Sequence, residues 1–306
     1  MRLGRRSRVR DTEPGERMDM TQVRSQVRDE LANSGFENPN READLLLSAI
    51  LRRSLGDIEL DHLLGKELAS EDINRVLRAA RRRARREPLQ YLAGTASCYG
   101  LDFNVGPGVF VPRPETELLI DFGLAFLKSF GSPSPVVADL GSGSGAIAAS
   151  VAVSVPEAEV TAFEASPYAL PWLVANLRNL APEVRVEFGD WHERIHTAPV
   201  RQYTAILSNP PYVPARDIPA DPEVRLYDPE TALYSGVDGL GDIRRIGATA
   251  AQLLVPGGLV AVEHTERQGQ AVREIFTENG LIEATTERDL NDRDRFTWAR
   301  RAGRAA

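Results

Sequence analysis

The stretch that decides the fold is Asp139-Leu140-Gly141-Ser142-Gly143-Ser144-Gly145, which ends the apolar run that begins at Val136. Such a run is typical of a buried β-strand, and residues 146–155 behind it are typical of a helix. Glycines at the turn between them permit positive φ and let the backbone approach a ligand closely. Gly141, Gly143 and Ala146 also satisfy the G-x-G-x-x-A pattern of dinucleotide sites. The stretch therefore predicts a strand, a ligand-binding turn and a helix.

Apolar strands and amphipathic helices alternate from this stretch to the end of the chain. This alternation predicts an α/β domain with a mostly parallel sheet and helices on both faces. The expected strands are 136–140, 159–164, 184–188, 203–208, 259–264, 282–286 and 295–300, and the expected helices are 146–155, 167–180, 240–254 and 266–279. Ligands of such sheets bind beyond the carboxyl ends of the strands, near the point where the strand order reverses.

The region before this domain has a different pattern. Residues 1–17 are polar and arginine-rich, and we expect them to be a disordered extension. Apolar residues at helical spacing predict a small all-helical domain over residues 18–87. Residues 88–114 are expected to form a β-hairpin linker, with strands over 99–105 and 109–111. A helix with proline and acids in its first turn then opens the remainder, the α/β domain over residues 115–303.

Two further segments lie where ligands of such a sheet bind. Glu164 ends the second predicted strand, where a carboxylate can accept hydrogen bonds from both hydroxyls of a ribose. An acid at this place serves NAD sites and adenosylmethionine sites equally. Glu263 ends the fifth strand and is a candidate to face the same pocket, whereas we expect the neighbouring His264 to be structural.

The most specific segment is Asn209-Pro210-Pro211-Tyr212, directly after the fourth predicted strand. Pro211 holds Pro210 extended, and neither proline has an N–H to give to a strand ladder. The Pro210 carbonyl and the Asn209 side-chain oxygen can then accept both N–H groups of a primary amide or aryl amine. Tyr212 offers an aromatic wall for a planar group. The segment predicts a site that binds the NH2 group of a planar amide or amine.

Composition limits the class of protein. The chain has 306 residues, a formal net charge of −7, one cysteine and four scattered histidines. These counts exclude an intramolecular disulfide and give no metal-ligand cluster. We read Cys98 as a buried small hydrophobe. No segment is apolar enough for a membrane span, so a cytoplasmic location is expected. Overall acidity lowers the expectation of a nucleic-acid substrate, although Arg81-Arg82-Arg83 leaves such a contact open beside the alternative of a solvated helix face.

Residues 139–145 together with 209–212 resemble motifs I and IV of the amino-methyltransferases. The likeness is greatest to the release-factor glutamine methyltransferases, the HemK/PrmC family. Pro88-Leu89-Gln90-Tyr91-Leu92-Ala93-Gly94 and Phe110-Val111-Pro112-Arg113-Pro114-Glu115-Thr116-Glu117 are similar to the segment before the catalytic domain in that family. The resemblance covers about residues 21–300, and the combination of motifs is more specific than either motif alone.

The resemblance implies a class I S-adenosylmethionine-dependent methyltransferase domain with a seven-stranded sheet. It implies N5-methylation of the glutamine in the Gly-Gly-Gln motif of class-1 peptide chain release factors. Separately from the resemblance, we expect a monomer that uses no metal, contacts no membrane and has no direct nucleic-acid substrate. In this reading Asn209 and Pro210 are catalytic and Pro211 and Tyr212 complete the glutamine site. The cofactor-binding residues it implies are Gly141, Ser142, Gly143, Ser144, Gly145, Glu164, Trp191 beside the adenine, and Asn209.

Three departures from the family pattern concern local geometry. Serine stands at Ser142 and Ser144 in place of threonine, Pro171 is expected to kink the first turn of its helix, and Asp228 precedes Pro229 where glutamate is usual. The alternatives are an adenine-N6 or other nucleic-acid amino-methyltransferase, a non-catalytic docking module that binds the cofactor, and a nicotinamide oxidoreductase. The last gives Asn209–Tyr212 no role.

Overall fold

The structure is a computed structural model that describes residues 17–197 and 202–303. The predicted extension over residues 1–17 therefore lies outside the described residues, apart from Arg17. Chain contacts divide the protein into two units, one comprising Met1–Gly94 with Ala220–Tyr227 and the other Thr95–Pro219 with Asp228–Ala306. The linker predicted to begin at residue 88 thus starts with a helix that belongs to the first unit.

The first unit is helical. Its elements are β1 (Met18–Asp19), α1 (Met20–Asn33), α2 (Pro39–Leu51), α3 (Leu55–Leu63), β2 (Glu67–Leu68), α4 (Ser70–Arg83) and α5 (Leu89–Ala93), with β1 and β2 paired antiparallel. Capping boxes begin α1 and α3, because the side chains of Asp19 and Ser54 accept from the third helical N–H, and their own backbone N–H groups donate to the side chain of that third residue. Val23, Val27 and Leu31 of α1 are fully buried in the core of this unit.

Arg83 shows that the arginine run at the end of α4 is not simply a solvated face. Its side chain is 6% exposed and donates to Glu42 at 2.5 Å and to Glu223 at 2.6 Å. Its third bond goes to the carbonyl of Glu87 at 2.9 Å. The guanidinium is a fork of five donors, which lets one side chain hold three partners. The expectation of a solvated face was therefore wrong for Arg83, which ties residues 220–227 to the helices of this unit.

The second unit begins with a hairpin whose register differs from the prediction. Strands β3 (Thr95–Cys98) and β4 (Leu101–Asn104) pair antiparallel, and Tyr99 and Gly100 form the turn with φ of 49° and 73°. Two consecutive positive φ angles give the tight turn that matches the twist of paired strands. The strand predicted over 99–105 contains β4, but its bounds were wrong because Tyr99 lies in the turn; the strand predicted over 109–111 was wrong because these residues form no strand. Cys98 is buried, which confirms the interpretation of that residue.

Within the described residues, the sheet of this unit has seven strands in the order β10-β11-β9-β8-β5-β6-β7, of which β11 alone runs antiparallel to its neighbours. This confirms the predicted class I methyltransferase domain. The elements are α6 (Pro114–Phe130), β5 (Val136–Leu140), α7 (Ala146–Ser154), β6 (Glu159–Glu164), α8 (Leu170–Leu180), β7 (Arg185–Phe188), α9 (Trp191–Thr197), β8 (Tyr203–Ser208), α10 (Pro222–Tyr227, in the first unit), α11 (Glu230–Leu233), α12 (Gly241–Leu253), β9 (Leu254–Glu263), α13 (Gly269–Glu278), β10 (Leu281–Arg288) and β11 (Asp294–Arg301).

The strand order reverses between β5 and β8, which are parallel neighbours. From β5 the chain continues outward to β6 and β7, and from β8 it continues in the other direction to β9. The carboxyl ends of β5, β6, β8 and β9 therefore open on one crevice, where ligands of such sheets bind. Pro171 lies in the first turn of α8, where a proline costs nothing, so the predicted kink was wrong. Among the described residues, no helix has the length and apolarity to cross a bilayer.

Candidate active site

The turn after β5 is shaped by three glycines with left-handed backbone. Gly141, Gly143 and Gly145 have φ of 73°, 55° and 88°, values that residues with a Cβ rarely adopt. The N–H groups of Gly141 and Ser142 both donate to the carbonyl of Phe163 at 2.9 Å. The turn is thus bonded to the end of β6, and its backbone borders the crevice between the strands.

Asp139 supports this turn from below. Its Oδ2 accepts the N–H of Ala148 in the first turn of α7 at 3.1 Å. The side chain is buried, and burial raises the pKa of Asp139 to about 7. A carboxylate near the N-terminus of α7 is favoured by the helix dipole. Asp139 therefore fixes the angle at which α7 leaves the glycine turn.

Glu164 faces the glycine turn from the end of β6. Its Oε2 accepts the N–H of Gly143 and its Oε1 accepts the N–H of Ser166, both at 2.7 Å. Burial raises the pKa of Glu164, while the backbone N–H groups lower it. An ionised carboxylate has about four lone-pair sites. Two bonds therefore leave acceptor capacity for the hydroxyls of a ribose.

Asn209–Tyr212 follows β8 on the opposite side of the turn. The Asn209 Nδ2 donates to Thr116 Oγ1 at 3.2 Å, and the Tyr212 hydroxyl donates to Glu263 Oε1 at 3.2 Å. In the described part of the chain, no donor bonds to the Asn209 Oδ1 or to the Pro210 carbonyl. Two oxygens at the reversal point of the sheet are thus free to accept hydrogen bonds.

The backbone of Tyr212 packs closely against Gly239 and bonds to Gln268. Gln268 Nε2 donates to the Tyr212 carbonyl at 3.0 Å, and that same carbonyl would lie 2.2 Å from a Cβ placed on Gly239. The approach of these two backbones is possible only because Gly239 has no side chain. The position of the Tyr212 ring is therefore set by both its backbone and its hydroxyl.

Trp191 and its neighbours form a third side of the site. Trp191 is 8% exposed, and the Arg245 guanidinium carbon lies 5.0 Å from the centroid of its ring. Arg245 also donates to both carboxylate oxygens of Asp190, at 2.8 Å and 2.7 Å. The cation–π contact and the two-point ion pair hold the indole ring in one place.

These segments enclose a cavity of about 300 Å³, a volume within the range of small-molecule sites. It is lined by residues 108, 110, 112, 116, 140–144, 146, 147, 164–166, 169, 190, 191, 209–213, 229, 231–234, 242 and 245. The lining combines a glycine turn, an acid, an indole ring and two free acceptors. A sulfonium nucleoside fits this lining, because the acid can accept hydrogen bonds from the hydroxyls of a ribose and the glycine turn lets the backbone approach the ligand closely.

Of the predicted site residues, only Gly145 lies outside the cavity lining. A Cβ on Gly145 would lie 2.9 Å from Leu173, so this glycine serves the packing of the turn on α8. The structure adds Phe110, Thr116 and Arg245 to the lining. Phe110 and Thr116 lie in a segment that carries the family resemblance but were given no role from the sequence, and Arg245 had no signal in the sequence. Glu263 lies behind the lining, bonded to Thr116, and is not at the cavity surface as was considered from the sequence.

Two remaining expectations concern His264 and Asp228. His264 is fully buried, bonded to Thr265 and Thr297, and does not line the cavity, which agrees with a structural role. Asp228 accepts from Arg113 at 2.9 Å. The aspartate that departs from the family pattern therefore pairs with the arginine of the segment before α6.

The sheet order and the site define an S-adenosylmethionine-dependent methyltransferase of class I. Residues 101–222 match the Methyltransferase small domain family, and residues 22–94 match the PrmC N-terminal domain family. The chain belongs to the release factor glutamine methyltransferases. It is 40% identical to the release factor glutamine methyltransferase of Bifidobacterium longum over 92% of this chain and 99% of that protein.

Other members of the family are similar over comparable lengths. The release factor glutamine methyltransferase of Streptomyces coelicolor is 38% identical over 91% of this chain and 96% of its own. That of Geobacter sulfurreducens is 36% identical over 94% of this chain and 99% of its own. The likeness therefore extends over both units, not only over the catalytic one.

Proposed function

We propose that this chain transfers the methyl group of S-adenosylmethionine to the N5 amide nitrogen of the glutamine in the Gly-Gly-Gln motif of class-1 peptide chain release factors. The observation that carries the proposal is the pair of free acceptors, Asn209 Oδ1 and the Pro210 carbonyl, at the reversal point of the sheet beside a glycine-lined cavity. Two acceptors match the two N–H groups of a primary amide.

The cofactor residues of this proposal border the cavity or support its edge. The backbone of Gly141, Ser142, Gly143 and Ser144 lies along the methionine part, with Gly145 starting the helix that follows. Glu164 accepts from the ribose, and Trp191 flanks the adenine. S-adenosylmethionine supplies an electrophilic methyl group on a sulfonium when it is bound. Asn209 contacts both this methionine part and the substrate.

The substrate residues act by positioning. The amide nitrogen is a poor nucleophile, since its lone pair is delocalised into the carbonyl. Acceptance of both N–H groups by Asn209 and Pro210 raises the electron density on nitrogen and aims it. Pro211 and Tyr212 flank the planar amide. Orientation of this kind contributes about 7–11 kcal/mol in favourable cases.

No side chain is assigned as a strong base. The nitrogen becomes acidic once it carries the methyl group, so water takes the proton. Buried His264, with both ring nitrogens bonded and a pKa lowered by burial, supports this omission.

We propose that the helical domain, residues 18–87, recognises the release factor. Residues 88–114 then act as a linker to the catalytic domain, residues 115–303. The protein is further proposed to be a monomer in the cytoplasm that acts on a protein and not directly on nucleic acid. The net charge of −7 supports a protein substrate, because nucleic-acid binding draws most of its affinity from phosphate neutralisation.

The test is mass spectrometry of a purified class-1 release factor after incubation with the enzyme and S-adenosylmethionine. One added methyl group on the glutamine of Gly-Gly-Gln is expected, and none on duplex DNA in a parallel reaction.

Asn209→Ala should lose methylation by far more than it loses cofactor affinity, whereas Asn291→Ala, at an exposed loop position, should change neither. Methylated DNA would favour the nucleic-acid alternative, and cofactor binding without transfer to any acceptor would favour a docking module. Equal losses of methylation and affinity in Asn209→Ala would make Asn209 a cofactor ligand only.

A further inference from the structure

The amide of Asn209 can work in only one of its two orientations. Its oxygen accepts hydrogen bonds and its NH2 group donates them. If the amide turned by 180°, the NH2 group would meet the substrate NH2 group, and neither could accept. Something in the protein must therefore select the orientation in which the oxygen is free.

Thr116 has the chemistry to make that selection. Its hydroxyl carries one hydrogen, and the structure directs this hydrogen to Glu263 Oε2 at 2.8 Å. Only lone pairs are then left on Thr116 Oγ1 for the side chain of Asn209, 3.2 Å away. A lone pair accepts only from a donor, so the NH2 end of Asn209 must face Thr116. The oxygen of Asn209 is thereby left for the substrate.

Glu263 determines in turn where the Thr116 hydrogen points. An ionised carboxylate only accepts, and both of its oxygens are used, one by Thr116 and the other by the Tyr212 hydroxyl at 3.2 Å. Glu263 is 1% exposed and does not line the cavity, whereas Thr116 does. The carboxylate therefore acts on the site only through these two hydroxyls.

We propose that Thr116 and Glu263 are positioning residues, which fix the Asn209 amide with its oxygen toward the substrate glutamine and hold the Tyr212 ring beside it. This inference rests on the proposed function, in which Asn209 accepts from the glutamine amide. Their role is to orient Asn209 and Tyr212 and not to act on the reacting atoms. Each acts through a hydroxyl hydrogen that has one possible direction.

The fold brings these residues together from distant parts of the chain. Thr116 lies in the first turn of α6, which Pro114 begins, and Glu263 is the last residue of β9. Asn209 follows β8, the parallel neighbour of β9 in the sheet. The same crevice that receives the substrate thus receives the N-terminus of α6 as its rear support.

Thr116→Val is the decisive variant, because it keeps the shape of the side chain and removes the hydroxyl. At saturating cofactor, kcat for the release factor should fall about 10- to 100-fold, the loss that small misplacement of reacting groups causes. The dissociation constant for S-adenosylmethionine should change by a much smaller factor than kcat. Thr116→Ser should restore most of the rate. The control is Thr249→Val, another buried threonine, which lies outside the cavity lining and should leave kcat as it is.

A second measurement is independent of turnover. In protein labelled with 15N at asparagine, the Asn209 side-chain NH2 signal, assigned by its loss in Asn209→Ala, should shift and exchange faster in Thr116→Val and stay in place in Thr116→Ser. Glu263→Gln should lower kcat less than Thr116→Val does, because glutamine can either accept from Thr116 or donate to it.

The results separate failure of this inference from failure of the proposed function. An unchanged kcat in a folded Thr116→Val protein, or a rate loss that Thr116→Ser fails to reverse, would overturn the positioning role. An unchanged Asn209 NH2 signal in Thr116→Val would overturn it as well. If the wild-type protein left the release factor unmethylated, the proposed function would fall, while the NH2 signal would still report whether Thr116 orients Asn209.

Discussion

The backbone N–H of Gly143 donates to Oε2 of Glu164 at 2.7 Å, so the carboxylate that ends β6 holds the glycine turn that follows β5. Removal of this carboxylate should therefore harm the cofactor site twice, by loss of a ribose acceptor and by release of the turn. Glu164→Ala should weaken S-adenosylmethionine binding about 10- to 100-fold, because hydrogen bonds to a charged group contribute about 1.5–3 kcal/mol. Isothermal titration calorimetry measures the change.

Glu159→Ala is the matched control for Glu164→Ala, since Glu159 begins the same strand and is exposed at its other end. It should leave the affinity unaltered. If Glu164→Ala bound the cofactor as tightly as wild type, Glu164 would be neither a ligand of the ribose nor a support of the turn that cofactor binding needs.

Gly145 should be sensitive to alanine for two separable reasons. Its φ is 88°, which strains any residue with a Cβ, and that Cβ would lie 2.9 Å from Leu173. Gly280 has a similar φ of 78° with nothing within 4 Å, so Gly280→Ala measures the backbone strain alone. Gly145→Ala should lower the free energy of unfolding by about 1–3 kcal/mol more than Gly280→Ala, the usual cost of overpacking. Denaturant titration of both variants checks this, and equal losses would show that Leu173 gives way freely.

Asn176 should be the most important buried polar residue of α8. Its Nδ2 donates to the carbonyls of Ser144 and Asn104, and its Oδ1 accepts the N–H of Asn104 at 2.8 Å. Asn176→Ala leaves three backbone groups without partners, and an unsatisfied buried group costs about 1–3 kcal/mol. The melting temperature should drop clearly, and cofactor affinity should weaken because Ser144 belongs to the glycine turn. Asn179→Ala, at an exposed position of the same helix, should change neither quantity.

The elements that the sequence predicted with correct bounds are those with strong local signals. The strands Val136–Leu140, Glu159–Glu164 and Tyr203–Ser208 are apolar runs bounded by turn residues, and each was predicted to the residue. The hairpin was misplaced because Thr95–Cys98 has no alternation of large apolar residues, while Tyr99 favours a strand by propensity. Tertiary context instead put Tyr99 in the turn at positive φ.

The residues of the candidate site also fall into those that a local motif predicts and those that it does not. Gly141, Glu164 and Asn209 were predicted because their motifs are contiguous and follow strands. The Thr116–Asn209 bond joins residues 93 positions apart, and the Thr116–Glu263 bond joins residues 147 positions apart. Such pairs depend on how helices and strands pack, and no spacing in a single sequence encodes that packing. The contacts by which Thr116 and Glu263 support the site were therefore found only in the structure.

The methylation rate should depend on pH through Glu263. Burial raises the pKa of Glu263 to about 7. Above this value the carboxylate is ionised, only accepts, and requires both hydroxyls to donate to it. Below it the acid carries a hydrogen of its own, so either Thr116 or Tyr212 must turn round. Loss of these fixed directions means that kcat at saturating cofactor should fall as the pH drops through about 7 and level off above it.

Other charges near Glu263 act on this transition and supply its controls. Arg295 of β11 and the hydroxyls of Thr116 and Tyr212 lower the pKa of Glu263, whereas Glu115 of α6 raises it. Cys98 of β3 also lies in reach of the carboxylate, but its thiol has a pKa raised to about 12 and stays neutral. Asp139 has a pKa near 7 as well, so Glu263→Gln is needed to separate the two carboxyl groups. In Glu263→Gln the acid limb of the kcat profile should disappear, and a limb that persisted there would assign it to Asp139 instead.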